Sequence, residues 1–221
     1  MEDITRLVQF LMDFAPRGEP LDLRFLAEYG VTPIEASDLV VGGWLRRLSD
    51  DAYLLRGDLP TLEGTVAFFA RRIPGLHVSG KAALDMRGIR HYLYARPRIN
   101  LWGAVPFEFP LWAKELLLLT YEYDHLFDDA LPATFAISAL PARSARMPVA
   151  AAERAILEYL AGAVHDERLR EDNVNLVSML RNVRLDVLQK LVDHCPRRDV
   201  VRTLKAIGED EDFGWAKQLV C

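Results

Sequence analysis

Cysteine is scarce in this chain: among 221 residues only Cys195 and Cys221 occur, with no CxxC spacing. That excludes a disulfide framework and the common zinc-ribbon spacings, and it points to a reducing, cytoplasmic compartment. Long apolar runs are missing too. The longest purely aliphatic stretch is Leu116 to Leu119, far short of the roughly 20 residues a membrane-spanning helix needs, so no membrane association is expected. The start, Met1-Glu2-Asp3-Ile4-Thr5-Arg6, is acidic before it turns amphipathic, unlike a secretory leader. There is no Ser/Gly/Gln-rich tract, internal repeat or long charge block, which argues against a large disordered segment. Gly-rich phosphate loops, GxSxG, HExxH and deaminase signatures are absent. Nothing therefore marks an enzyme, and no cofactor or metal is implied.

What is present is ordinary globular composition, 51% hydrophobic and 27% charged, in a chain long enough to bury a core unaided. The length suits a small domain over residues 1–59 and a larger one over 60–221. The net charge of −5 is uneven: residues 1–59 hold 6 Lys/Arg against 11 Asp/Glu, and residues 60–221 hold 21 of each.

In the first segment Ile4, Leu7, Val8, Leu11 and Met12 recur at helical spacing, so a helix is predicted over 4–14 and Pro16-Arg17-Gly18 ends it. A second helix is predicted from Leu21 to Tyr29, closed by Gly30. Thr32-Pro33-Ile34-Glu35 reads as a capping box opening a third helix that runs to Val41 and stops at Gly42-Gly43. Two short helices around a Gly-containing turn make a helix-turn-helix, as against a plain three-helix fragment with no ligand. Trp44 to Leu48 and Ala52 to Leu55, around Ser49-Asp50-Asp51, read as a hairpin wing. Val31, Ala36 and Leu39 then face inward, while Thr32, Pro33, Ser37, Asp38 and Val41 face out. On a DNA-binding reading Thr32 and Ser37 meet bases or phosphates and Asp38 accepts from a cytosine amine. Arg46 and Arg47 are the best phosphate contacts, with Arg24, Arg6 and Arg17 secondary. No Lys or Arg lies between Phe25 and Leu45, so the recognition helix itself carries no cation.

The second segment alternates candidate helices at Thr61–Ile73 and 80–88 with candidate strands at 76–78, 98–102, 116–121 and 134–138, then turns helical from about Ala151 onward. The predicted fold class is α+β: a winged helix-turn-helix followed by a larger mixed domain ending in helices. Trp44, Trp102, Trp112 and Trp215 stand in apolar contexts and are expected in the core, as is Cys195. Glu153 and Arg154 are expected to form a structural charge pair.

Several of these motifs together resemble one family. Phe25-Leu26-Ala27, Gly30-Val31 and Gly43-Trp44-Leu45 look like the head of AbiEi-type antitoxins. Leu76 to Leu84 followed by Gly88 and His91-Tyr92-Leu93, then Arg98 to Gly103, resemble the opening of that family's second domain, and Ala152 to Glu158 resembles its ERA-containing helix. The resemblance spans nearly the whole chain. It implies an antitoxin of a bicistronic system tied to phage defence. Its winged head would bind inverted repeats in its own promoter as a repressor, and its C-terminal domain would counteract AbiEii, a nucleotidyltransferase-like toxin, either without a stable complex, as the family is described, or by direct binding. The chain departs from the pattern in having Glu35 and Asp38 on the recognition helix and an acidic, glycine-free wing turn. The alternative is therefore a protein-interaction antitoxin whose acidic head has lost specific DNA binding.

Two further clusters draw attention. Arg71, Arg72, Lys81, Arg87, Arg90, Arg96 and Arg98 face only Asp85 within residues 71–98. They read as a second nucleic-acid surface or a dock for an acidic partner, against scattered solvated arginines. Asp124, His125, Asp128 and Asp129 have metal-ligating chemistry, but an exposed acidic loop reads the same and is the expectation. A looser set, Arg181, Arg184, Lys190, Arg197, Arg198, Arg202 and Lys205, is expected to be solvated.

Overall fold

The structure, a computed structural model, describes residues 2–90, 98–141 and 146–221, with residues 2–4 as backbone. His91 and Arg96, singled out above, lie outside the described residues. In chain order the elements are α1 (Glu2–Phe14), α2 (Leu23–Glu28), α3 (Pro33–Val41), β1 (Leu45–Ser49), β2 (Ala52–Leu55), α4 (Leu62–Ala70), β3 (His77–Val78), α5 (Gly80–Met86), β4 (Arg98–Trp102), α6 (Leu111–Leu116), β5 (Leu118–Glu122), β6 (Ile137–Ser138), β7 (Val149–Ala150), α7 (Ala152–Ala163), α8 (Arg170–Ser178), α9 (Leu185–Asp193), α10 (Arg198–Asp210) and α11 (Gly214–Gln218). They form two compact units, 1–72 with 108–117, and 73–107 with 118–221.

In the first unit, Val8 and Leu11 of α1 pack with Phe25, Leu26, Val31, Ala36, Leu39, Leu45, Tyr53 and Leu55 into one core. α2 starts at Leu23, two residues later than predicted, because the Asp22 side chain caps it by accepting from Phe25 N–H at 2.7 Å. Leu21 is instead fully buried and exchanges two 2.8 Å backbone hydrogen bonds with Tyr53. The hairpin β1–β2, paired Leu45↔Leu55 to Arg47↔Tyr53, thereby gains a third strand residue. Gly30 ends α2 with φ 78°, which a side chain would strain. The predicted capping box opens α3: Thr32 Oγ1 accepts from Glu35 N–H, and Glu35 Oε2 accepts from Thr32 N–H at 2.8 Å. These elements make a winged helix-turn-helix.

The first unit continues past Leu59. Thr61 caps α4 and donates its backbone N–H to the Gly18 carbonyl at 2.9 Å. α4 presses so close that a Cβ on Gly64 would collide with the Gly18 carbonyl oxygen and stand 2.7 Å from Glu19 Cα. Segment 108–117 joins the unit through aromatic packing: Phe109 meets Phe69 edge-on at 4.8 Å, and Trp112 stacks on Phe69 at 5.6 Å. Residues 116–121 were expected as one strand. The α6 helix ends at Leu116 and the strand starts at Leu118.

The second unit holds a mixed sheet of order β5-β4-β3-β7-β6. β5 runs parallel to β4 over five register pairs, from Arg98↔Leu118 to Trp102↔Glu122. β4 is antiparallel to β3, β3 parallel to β7, and β7 antiparallel to β6. The strand expected over 134–138 shortens to Ile137–Ser138 because Ala136 adopts φ 56°, outside the strand region. α5 crosses α7 closely, with the Cβ position of Gly80 only 3.6 Å from Tyr159 Cα. The closing helices are tied by Trp215, whose indole N–H donates to the Leu180 carbonyl at 2.8 Å. Trp102 and Trp215 are buried as expected, but Trp44 is 38% exposed under the Arg56 guanidinium.

Gly64→Ala should lower unfolding free energy by about 1–3 kcal/mol through overpacking against backbone. Gly162→Ala, where nothing lies within 4 Å, should raise it by about 0.5–1 kcal/mol. Urea denaturation of the two variants checks both signs.

Candidate nucleic-acid interface

The buried side of α3 carries Ala36 and Leu39, so its other side is left open. Ile34, Ser37, Asp38 and Val41 fall at i, i+3, i+4 and i+7 and form one exposed stripe. Ile34 is 76% and Val41 89% exposed. Ile34 was missed among the outward residues, although the helical period that sends Ser37 and Val41 outward sends it there too.

The polar groups on this face are already partly engaged. The Thr32 hydroxyl donates to Glu35 Oε2 at 2.7 Å, and its backbone N–H donates to the same oxygen. Those bonds from the Thr32 backbone and hydroxyl hold the Glu35 carboxyl below the usual glutamate range. The Ser37 hydroxyl donates to the Pro33 carbonyl at 3.1 Å. Asp38 is exposed and, among the described residues, has no ion pair.

The acidic wing turn is matched by cations. Arg47 curls back onto it, donating to the Ser49 carbonyl at 3.1 Å and to Asp50 Oδ1 at 2.9 Å. Asp51 pairs with Arg72, which holds its carboxyl below the ordinary aspartate range against the opposing effect of burial. Arg71 pairs with the buried Glu19 and lies 5.0 Å over the Phe25 ring. Arg17 donates to Asp58 at 2.8 Å. Four exposed arginines of the head remain without an ion pair among the described residues: Arg6, Arg24, Arg46, which makes only a 3.5 Å contact to the Asp58 carbonyl, and Arg56, 5.4 Å over the Trp44 ring.

The basic stretch 71–98 is divided. Arg71 and Arg72 belong to the first unit, and Lys81, Arg87, Arg90 and Arg98 to the second. Arg87 is half-buried and ties the Ala150 and Val149 carbonyls at 2.6 and 3.2 Å. Lys81 meets Asp172 at 3.3 Å, while Arg90 and Arg98 are exposed. Of the looser set, Arg184 binds Glu153, Arg197 binds Asp199, and Lys190 stands 4.7 Å over the Phe135 ring.

The second unit contains a buried polar cluster that pattern reading did not find. His77 on β3 faces the Gly75 carbonyl with Nδ1 at 2.7 Å and Glu158 Oε1 with Nε2 at 2.8 Å. Arg154 donates to the same oxygen at 2.7 Å and to the Ala133 and Phe135 carbonyls at 3.1 and 2.8 Å. The expected Glu153–Arg154 pair does not form. Neighbours on a helix diverge, whereas i,i+4 brings Arg154 to Glu158 and leaves Glu153 to Arg184 at 2.9 Å.

The acidic loop scatters its groups. Asp128 pairs with His194 Nδ1 at 2.8 Å and accepts from Ala130 N–H, and the Asp124 carbonyl accepts from the Trp102 indole. His125 and Asp129 are exposed. Among the described residues no group of three or more His, Cys, Asp or Glu is placed to share a metal ion. Cys195 is buried, and burial pushes its thiol up, the opposite of a reactive cysteine.

A winged helix-turn-helix leading into a mixed α+β unit that ends in helices defines a two-part regulator. The profile of the "AbiEi antitoxin N-terminal domain", described as a transcriptional regulator, matches residues 5–95. That of "Transcriptional regulator, AbiEi antitoxin, Type IV TA system" matches residues 96–220. The chain belongs to the AbiEi antitoxin family of transcriptional regulators from type IV toxin–antitoxin systems. Its fold is similar to that of the RV2827C protein from Mycobacterium tuberculosis, with a TM-score of 0.59 at 15% identity over 97% of this chain and 79% of that one. No curated protein matches the sequence. Among the described residues no helix is long and apolar enough to cross a membrane.

The Glu158 cluster sets a stability test. Burial would raise the Glu158 carboxyl, but His77 and Arg154 outweigh it and hold the group below the usual glutamate range. A depressed folded value means stability that is complete above the unfolded value of about 4.3 and is lost as pH falls through the folded one. Glu158→Gln should therefore cost about 3–5 kcal/mol at pH 7, having left the buried Arg154 without its carboxylate. In urea denaturation that deficit should shrink only below about pH 4. A deficit constant down to pH 2 would mean the carboxylate is not the ionised partner.

Proposed function

We propose that this chain is a non-catalytic autorepressor and antitoxin. Its head would bind inverted repeats upstream of its own operon, and its second unit would counteract a nucleotidyltransferase-like toxin encoded alongside it. The observation that carries this reading is the open stripe on α3 of a complete winged helix-turn-helix, in a head that also exposes Arg24 and Arg46. Thr32, Ser37 and Asp38 line or flank that stripe. Arg47 can reach phosphate only by giving up Asp50. Operator DNA is the proposed partner of the head. The toxin is the functional partner of the second unit, and Arg90 and Arg98 are exposed there for an acidic surface. A cytoplasmic location accords with both partners.

The experiment is a gel-shift titration of the full chain on the DNA upstream of its own reading frame, against a scrambled duplex, over a range of salt. Each phosphate contact contributes about −0.9 to the slope of log K on log salt. With phosphate contacts from Arg24 and Arg46 the expected slope is shallow, about −2. Arg24→Ala and Arg46→Ala should each flatten it by about 0.9. Equal affinity for the two duplexes would remove the repressor half of the reading. Nuclease-resistant co-purification with the toxin would then favour a protein-interaction antitoxin.

A further inference from the structure

The stripe on α3 has an unusual chemical makeup: two methyl-bearing side chains, acceptors, and no side-chain hydrogen-bond donor. Ile34 and Val41 are the exposed apolar groups. The Ser37 proton is committed to the Pro33 carbonyl, which leaves its lone pairs as acceptors, and Asp38 is an acceptor only. The Thr32 hydroxyl proton is committed to Glu35. The helix contains no Lys, Arg, Asn or Gln. At the helix N-terminus Pro33 lacks an N–H and the capping box occupies those of Thr32 and Glu35, which leaves the Ile34 N–H as a single backbone donor.

In the major groove guanine presents only acceptors, N7 and O6. Adenine presents the N6 amine beside N7, cytosine the N4 amine, and thymine its C5 methyl beside O4. A face without free side-chain donors cannot read guanine through its side chains. It can accept from adenine and cytosine amines, and it can cover thymine methyls. We infer that α3 selects its site through thymine methyl groups, covered by Ile34 and Val41, and through base amines that donate to Asp38 and Ser37, with no side-chain contact to a guanine edge. The inference rests on the DNA-binding reading above and narrows it to a base chemistry. It also accounts for Asp38, a poor neighbour for phosphate but a fitting acceptor for a base amine. Arg24 and Arg46 lie outside α3 and serve the phosphates.

The test starts with duplexes selected by the full chain from a random-sequence pool. The best duplex is then remade with deoxyuridine in place of thymidine, which removes only methyl groups, and separately with 7-deazaguanine, which removes only the guanine N7 acceptor. Covering one methyl is worth about fourfold in affinity, so losing two should weaken binding about fifteenfold. The 7-deazaguanine duplex should bind like the parent. Ile34→Ala with Val41→Ala, both at exposed positions, should bind parent and deoxyuridine duplexes alike. If the parent binds and deoxyuridine has no effect, or if 7-deazaguanine abolishes binding, the inference fails while DNA binding stands. If the pool yields no preferred duplex, the DNA-binding reading falls with it.

Discussion

A carboxylate taken out of water must be matched by a cation or by N–H donors, or the fold loses several kcal/mol. Much of this molecule is arranged around that constraint. Glu158 is the sharpest case. Buried on α7, it takes His77 from β3 and Arg154 from one turn earlier, and Arg154 in turn holds the carbonyls of Ala133 and Phe135. One carboxylate thus fixes a strand, a helix and a loop of the second unit. Glu153 with Arg184 does the same between α7 and the start of α9, and in the first unit Glu19 and Asp58 are matched by Arg71 and Arg17. A chain with 32 acidic residues and 27 basic ones must use its arginines internally first.

That use shapes the interface. An arginine holding a buried carboxylate cannot move to a phosphate without exposing that carboxylate. Arg71 and Arg87, read from the sequence as members of a basic surface, are in this position: one secures Glu19, the other two sheet carbonyls. The same reasoning applies at helix ends. Asp22 and Glu35 occupy the N-termini of α2 and α3, where an anion would otherwise be welcome. What remains on the open side of α3 is shape, methyl groups and acceptors.

Local features of this architecture were legible in the sequence because they are set by neighbouring residues. The capping box at Thr32, the left-handed Gly30, the Gly42-Gly43 stop and the Thr61 cap all depend on residues within four positions of one another. Features that depend on distant partners were not legible. His77 and Glu158 are 81 positions apart, and neither residue type announces the other. The return of segment 108–117 to the first unit rests on Phe109 and Trp112 meeting Phe69, which an apolar pattern shows only as generic core. The Glu153–Arg154 pair was misread because adjacency in sequence was taken for adjacency on a helix. Charge counting over residues 71–98 could not show which of those cations hold internal partners, as Arg71, Arg72, Lys81 and Arg87 do, and which are exposed, as Arg90 and Arg98 are.

The acidity of the head bears on specificity as well as affinity. Non-specific DNA binding is almost wholly phosphate neutralisation, so a head with 6 Lys/Arg against 11 Asp/Glu, with Arg17 and Arg47 already paired internally, would hold random duplex poorly. Specific binding adds base contacts to that weak electrostatic term, and what governs site occupancy is the ratio of the two. Lowering the electrostatic term lowers both affinities together and leaves the ratio to the α3 face. A regulator built this way gives up tight binding but loses less of its population to the rest of the chromosome. On that view the negative charge that first argued against DNA binding makes discrimination depend on Ile34, Ser37, Asp38 and Val41.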